Sequence, residues 1–336
     1  METILLLAHT EPGGALAKPA LEALAAIREL DGELIVGLVG SETQPAANQI
    51  AGCGAARILA VTGEAFAQPR YATDAAAAEA LCRAAGAPIV IAPSTSRWAR
   101  ALPGVAYRLG GRVDTHATSL AAQNGAPAVT RWFYRQRMEA VLTRTQRPWF
   151  MLLDSGCFPA WNVPAGEAVV EAVALEAPQT RTAVTGIQAP KADEQTIRPD
   201  AKLLFVAGAG WTKKQADGAP HPKEAEELIL GFLRASQSSL GGSKSLVDLS
   251  GEGEAVLGFM THLNQIGQTG STPRHPKGLS TCCHGEEPHV VGWRFVHQRR
   301  AVNLDPNCGW ARGKADVLYV ADAFEVMRHV NRLLGT

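Results

Sequence analysis

Residues 3–39 read TILLLAHTEPGGALAKPALEALAAIRELDGELIVGLV, and this stretch decides the fold. Thr3 to Ala8 and Glu33 to Val39 are apolar runs of strand length. Between them Leu21, Leu24, Ile27 and Leu30 recur near helical spacing to form a stripe for burial. Pro19 stands early in that helix, where a missing N–H costs little. Strand, helix and strand, with a crossover of that length, predict parallel pairing in an α/β sheet. The opening apolar run breaks at His9, Glu11 and Pro12 and has no basic segment before it, so it reads as a first strand and not as a signal peptide.

The pattern continues outward. Arg57 to Val61 and Pro88 to Ala92 are further strands, separated by alanine-rich helical stretches. Pro93-Ser94-Thr95-Ser96 then opens a helix carrying Trp98, Val105 and Leu109. The hydroxyls of that loop either cap the helix or bind an anion, and capping is the commoner use. From Asp114 to Leu153 the helical signal is lost. Thr115 to Leu120, Ala128 to Tyr134, Met138 to Arg144 and Trp149 to Leu153 are β-rich, and Gln123-Asn124-Gly125 is a turn between the first two. These runs predict an antiparallel addition to the parallel sheet. Gln136 with Arg131, Arg135 and Arg137 makes a local basic spot there, expected as a solvated face.

Between Glu176 and Pro199 the chain turns polar, punctuated by Pro178, Pro190 and Pro199. This predicts a boundary between a domain over residues 1–188 and a second over 189–336. The second begins as the first does, with a strand at Lys202 to Ala207, the turn Gly208-Ala209-Gly210 and a helix at Lys223 to Arg234. Strands follow at Gly278 to Cys283, Arg300 to Asn303 and Val317 to Val320, and a closing helix at Ala323 to Leu334.

Composition excludes several classes. The 336 residues carry 32 Lys plus Arg and 32 Asp plus Glu, so no net field draws in a nucleic acid. No apolar run approaches the roughly 20 residues that cross a bilayer, which argues against membrane insertion. The six cysteines show no CxxC spacing, so neither a disulfide scaffold nor a zinc ribbon is indicated and a cytoplasmic setting is expected.

Four constellations could carry chemistry. Gly208-Ala209-Gly210 and Leu240-Gly241-Gly242-Ser243-Lys244 are glycine-rich turns after strands, where backbone amides can approach a phosphate and Ser or Lys can add a donor or a charge. Neither matches a P-loop or a complete dinucleotide fingerprint, and ordinary tight turns remain the alternative. Gln265-Ile266-Gly267-Gln268-Thr269-Gly270 brackets amide and hydroxyl side chains between glycines and suits a neutral heterocycle, or is a polar loop. In Cys282-Cys283-His284-Gly285-Glu286-Glu287-Pro288-His289, neighbours at a strand end point to opposite sides, which argues against a Cys283–His284 dyad, and the spacing fits no zinc pattern. Asn303-Leu304-Asp305-Pro306 and Asp322 follow two more strands. All lie where ligands bind in open α/β sheets, beyond strand carboxyl ends, and their coincidence favours a bound nucleotide cofactor.

These residues resemble a family, the α subunit of electron transfer flavoproteins. QIGQTG at Gln265 to Gly270 is similar to the family's QVGQTG, and the frame runs on without gaps through Gly285, His289 and Gly292 to Asn303 of VNLDP, against SGAIQH, a glycine and INKDP. Asp322-Ala323 falls near the family's Asp-Leu pair after one inserted residue, and the IAPST loop at Ile91 to Thr95 extends the resemblance into the first half. It implies two Rossmann-like domains, the second binding FAD. It also implies a heterodimer with a β subunit that commonly holds AMP, an electron donor among flavin dehydrogenases and a quinone reductase as acceptor. Such a protein is an electron carrier and not a substrate-converting enzyme.

The expected cofactor contacts are Gly208, Gly210, Ser243, Lys244, Ile266, Gly267, Gln268, Thr269, His284, Gly285, Glu286, Glu287, Pro288, His289, Asn303, Asp322 and Ala323. The resemblance puts Thr269 near the flavin N5 and His289 near its N1–C2=O edge, where reduction builds negative charge that a donating or positive group stabilises. Three departures mark a divergent branch. Ala209 and Lys244 stand where the family has arginines, and Cys282-Cys283-His284 replaces Gly-Ile-Ser. Lysine keeps a charge but lacks the planar fork of arginine. A non-redox nucleotide-binding or interaction subunit that keeps the fold without flavin is the alternative, and a thiol enzyme centred on Cys283 is a third reading.

Overall fold

Alternation within Ile4–His9 (β1) sets the layers of the N-terminal unit. Leu5 and Leu7 enter one core while Ile4, Leu6 and Ala8 enter the other, as side chains alternate across a strand. The computed structural model describes residues 2–123, 125–133, 138–186, 197–198, 201–248, 256–266, 274–281, 296–308, 311 and 315–335. The chain divides into two compact units, Met1–Ile187 and Gln188–Thr336.

In the first unit β1 lies between β2 (Leu34–Gly40) and β4 (Ile89–Pro93), parallel to both, and β3 (Arg57–Thr62) continues on the β2 side. Helix α1 (Lys18–Ala26), with Pro19 in its first turn, buries Leu24 and is followed by the buried Ile27 and Leu30, so the expected stripe is present. Helices α3 (Tyr71–Ala85) and α4 (Ser96–Arg108) cover the opposite face through Ala78, Leu81, Trp98 and Val105. A short α2 (Gln44–Gln49) links β2 toward β3.

Strands β5 (Arg112–Gln123), β6 (Ala126–Phe133), β7 (Met138–Leu142), β8 (Trp149–Leu153) and the two-residue β9 (Glu171–Ala172) complete a nine-stranded sheet of order β7-β6-β5-β8-β4-β1-β2-β3-β9. The antiparallel addition is present as β5-β6-β7, but Trp149–Leu153 does not belong to it. This run is parallel to both β4 and β5, between which it lies. All of its residues are buried, the mark of a strand covered on both faces. The basic spot is also different from expectation. Arg131 is an ion-pair partner of the buried Asp114, while Arg135, Gln136 and Arg137 lie outside the described residues.

The second unit is an all-parallel, five-stranded sheet of order β11-β10-β12-β13-β14. Its strands are β10 (Leu203–Ala207), β11 (Ser239–Gly242), β12 (His275–Thr281), β13 (Val296–Asn303) and β14 (Val317–Val320). Helices α5 (Pro222–Ser236) and α7 (Ala323–Leu334) pack on one face over Phe205, Ile229, Phe232 and Met327; α6 (Lys244–Asp248) follows β11. Leu204, Val206, Ile266 and Ala301 form the core of the other face. The fold class expected from the sequence, α/β with two Rossmann-like units, the first a parallel sheet with an antiparallel addition and the second an all-parallel sheet, is therefore the one observed.

Gly241 and Gly242 correct one reading: they end strand β11 and do not form a turn. A Cβ on Gly241 would come within 2.7 Å of Ile266 Cγ2, so the glycine makes room for a neighbouring core side chain. Of the tryptophans, Trp211 is core, Trp161 is partly buried under the Arg28 guanidinium, and Trp293 and Trp310 lie outside the described residues.

Candidate functional site

The strand order of the second unit contains a switch. From central β10 the chain steps to β11 on one side and then to β12 on the other, so a crevice is expected where β10 and β12 end. The loops leaving these carboxyl ends carry the sequence candidates.

β10 ends at Ala207, and Gly208 follows in an extended conformation, φ −95°. Its N–H donates to the Thr281 carbonyl at 3.0 Å, and Ala209–Thr212 then makes one tight helical turn. Gly210 O accepts from Gln215 Nε2 at 3.0 Å, which stiffens the turn. Beside it Ser243 N donates to Ala207 O at 3.1 Å, directly past β11. The Ser243 hydroxyl is buried and accepts from Leu246 N at 3.3 Å, and its own hydrogen has no acceptor among the described residues. Lys244 is exposed at the start of α6.

Gln265 pairs as an isolated parallel bridge with Gly242, and Ile266 N donates to Gly242 O at 3.2 Å. The Ile266 side chain is in the core, leaving its main chain at the sheet edge. Gly267, Gln268 and Thr269 lie outside the described residues, as do His284, Gly285, Glu286, Glu287, Pro288 and His289. At the end of β13 Asn303 Oδ1 accepts from Asp305 N at 2.9 Å and shapes the turn. After β14 Asp322 Oδ1 caps α7 by accepting from Glu325 N at 3.0 Å. Its second oxygen takes no hydrogen bond from a described residue. Ala323 is buried behind it.

The described candidates Gly208, Gly210, Ser243, Lys244, Ile266, Asn303, Asp322 and Ala323 thus share one edge of one sheet. Their chemistry fits a dinucleotide. Small residues at the ends of β10 and β11 let backbone approach a phosphate, the buried Ser243 hydroxyl has a proton to donate, and the Asp322 carboxylate has an acceptor to offer a ribose hydroxyl. Ile266 and Ala323 can contribute only main chain there, because their side chains are packed away. Two residues at this edge were not singled out from the sequence as site residues. Trp211 and Thr281 join β10's turn to β12, and only the three-dimensional adjacency of those strands reveals them.

The first unit has a switch of its own between β1 and β4. His9 Nε2 and Thr95 Oγ1 are hydrogen-bonded at 3.2 Å across it, and Thr95 caps α4 by accepting from Trp98 N. Burial, reinforced by the Arg97 charge, pulls the His9 imidazole down from 6.5 to about 4. Arg97 is itself buried and donates to Asp74 Oδ1 and to the Phe66 carbonyl. The Thr95 hydroxyl is in this way engaged both in capping α4 and in closing the sheet edge, and Ser94 N donates to Leu153 O. Among the described residues there is no cluster of His, Cys, Asp and Glu able to hold a metal ion, and no helix long and apolar enough to cross a membrane.

Compared with models of known families, residues 4–180 match the electron transfer flavoprotein domain. No curated protein matches the chain.

Proposed function

Because the chain belongs to the electron transfer flavoprotein family, we propose that it is the α-type subunit of such a flavoprotein, an electron carrier that holds FAD in its second unit. The supporting observation is the carboxyl edge of the second sheet, where Gly208, Ser243, Asn303 and Asp322 meet around a topological switch. On this reading the partner is a β subunit with a bound AMP. The donor is a flavin dehydrogenase and the acceptor a quinone reductase.

FAD, when bound, supplies the redox chemistry by taking up and releasing electrons. The protein's own residues bind and orient it. The glycine turn after β10 and the buried Ser243 hydroxyl would hold the pyrophosphate, with Lys244 adding positive charge to offset its two negative charges. Asp322 Oδ2 accepts from a ribose hydroxyl while Oδ1 keeps the helix capped. By the resemblance, Thr269 donates near N5, and His289 holds a donating or positive group at the N1–C2=O edge, where it offsets charge arriving with an electron. No side chain is required to break a covalent bond, in keeping with the lack of an evident acid–base pair in the sequence.

A second reading has one observation in its favour. Ala209, where the family carries arginine, is buried in the turn after β10, so the charge that would face an anionic cofactor from that position is missing. A nucleotide-binding subunit without redox function would tolerate this loss. Co-expression with the gene of the candidate β subunit, followed by a visible spectrum and chromatography of heat-released cofactor, separates the two. One FAD per heterodimer is the expected result. A colourless heterodimer would overturn the carrier reading in favour of the second.

A further inference from the structure

Trp211 is fully buried in the second unit, yet its polar edge is aimed across the switch. Nε1–H donates to Thr281 Oγ1 at 2.8 Å, and that hydroxyl donates onward to the Val206 carbonyl at 3.3 Å. Gly208 N–H also donates to Thr281 O, so the turn leaving β10 is tied to the last residue of β12 by a main-chain bond and by a side-chain bond. The indole ring in addition packs on Phe324, centroids 4.6 Å apart, in the first turn of α7 just behind Asp322 and Ala323. One side chain therefore braces the turn after β10 against the end of β12 and the start of α7. A leucine could fill the same core, but only an N–H donor makes the contact directional.

We propose that the Trp211–Thr281 hydrogen bond is a positioning strut that fixes the spacing of the Gly208–Gly210 turn against the end of β12 at Thr281, and so sets how tightly FAD is held. The inference rests on the FAD reading above and deepens it. Trp211 is a positioning residue: it acts through the backbone of Gly208 to Gly210 and through Thr281 at the end of β12. Trp211→Phe keeps the ring on Phe324 and deletes the donor. Thr281→Val keeps the shape and deletes the acceptor, whereas Thr281→Ser keeps both hydroxyl and bond.

The test measures, on the full-length protein co-expressed with the candidate β subunit, FAD dissociation constants by flavin fluorescence, the visible circular dichroism of bound flavin, and the Tm of each variant without FAD. Trp211→Phe and Thr281→Val are each expected to weaken FAD binding about tenfold and to alter the flavin dichroism. The double variant should be no weaker than Thr281→Val alone, since that variant already removes the shared bond along with the hydroxyl's bond to Val206 O, and Thr281→Ser should bind within about twofold of wild type. Wild-type affinity and dichroism in both single variants, or a double variant weakened by the product of the two, would overturn the strut. So would variants that lower the FAD-free Tm while binding FAD as wild type does, because that outcome assigns the bond to the core alone. If Trp211→Phe does not fold, the contrast between Thr281→Val and Thr281→Ser carries the test. A wild-type protein that takes up no FAD would instead overturn the function on which the proposal stands, a result distinct from unaffected variants.

Discussion

The two units share an architecture but differ at their carboxyl edges. In the first, polar groups satisfy one another: Thr43 and Thr62 hydroxyls meet at 2.7 Å, His9 meets Thr95, and the buried Glu22 accepts from Ser155 Oγ at 2.9 Å and Gly156 N at 2.8 Å. Gly40 leaves the space that Thr10 occupies, its absent Cβ being 1.9 Å from Thr10 Oγ1. In the second unit the corresponding edge keeps two groups with no partner among the described residues, the Ser243 hydroxyl proton and the Asp322 Oδ2. The family match covers residues 4–180, hence the closed edge and not the open one. The region that identifies the family and the region proposed to do its chemistry are different parts of the chain, an instance of fold and site being carried separately.

That contrast can be broken first in the N-terminal unit. Arg97→Ala would leave Asp74, which is fully buried, with only the more distant Arg100 at 3.5 Å. Burial already raises the Asp74 carboxyl against the pull of Arg97 and Arg100. Losing the main partner is expected to cost about 3–5 kcal/mol, read as a lowered urea midpoint. The FAD content of the protein that remains folded should not change. A loss of FAD affinity at unchanged stability would mean the closed edge takes part in cofactor binding.

The pH dependence of the same unit comes next. His9 has its folded pKa near 4 against an ordinary 6.5, so between those values the unfolded chain binds the extra proton. Its share of stability is complete above pH 6.5, falls as pH drops from 6.5 toward 4, and changes no further below. The full shift corresponds to about 3 kcal/mol. Unfolding free energies from pH 7 to 4 should carry this slope, and His9→Gln should flatten it. An unflattened slope would place the titrating group elsewhere.

In the second unit Gly241→Ala sharpens the comparison from the opposite side. The new methyl would meet Ile266 Cγ2 at 2.7 Å, and overpacking of this kind costs roughly 1–3 kcal/mol. Because Ile266 is the second residue of the QIGQTG segment, FAD affinity should drop together with stability, and Ile266→Val in the same chain should restore part of both. Lost stability with wild-type FAD affinity would detach Ile266 from the site.

Much of this was legible from residues 3–39 onward, because strong periodicities survive into three dimensions. Val317–Val320 and Ala323–Leu334 form the elements that the sequence predicts at those limits. Three-dimensional neighbours were the illegible part. Trp149–Leu153 reads as one more β-rich run, and nothing local says that it inserts between β4 and β5. Gly241 and Gly242 read as a turn because glycine usually marks one, while here the reason is side chains further along the chain, Ile266 against Gly241 and Met260 against Gly242. β12 begins with His275-Pro276-Lys277, a polar start that hides a strand whose Ser239-facing histidine is buried. Of the site, the edge residues were readable through position after a strand. The Trp211–Thr281 bond was not, since it depends on β10 and β12 being adjacent.

The smallest expected effect is the one that tests the open edge most directly. Asp322 has two oxygens in different settings: Oδ1 accepts from Glu325 N and caps α7, and Oδ2, the acceptor proposed for a ribose hydroxyl, takes no hydrogen bond from a described residue. Asp322→Ala removes both, and loss of the cap costs about 1 kcal/mol. Asp322→Ser is expected to keep the cap with a hydroxyl oxygen and to lose only the second acceptor, so its Tm should stay close to wild type while FAD binding weakens severalfold. The two variants therefore divide stability from binding at a single position, which no substitution at the closed edge of the first unit can do. Should Asp322→Ser bind FAD as wild type does, Asp322 is a helix cap like Thr95, and the difference between the two edges narrows to the glycine and serine ends of β10 and β11.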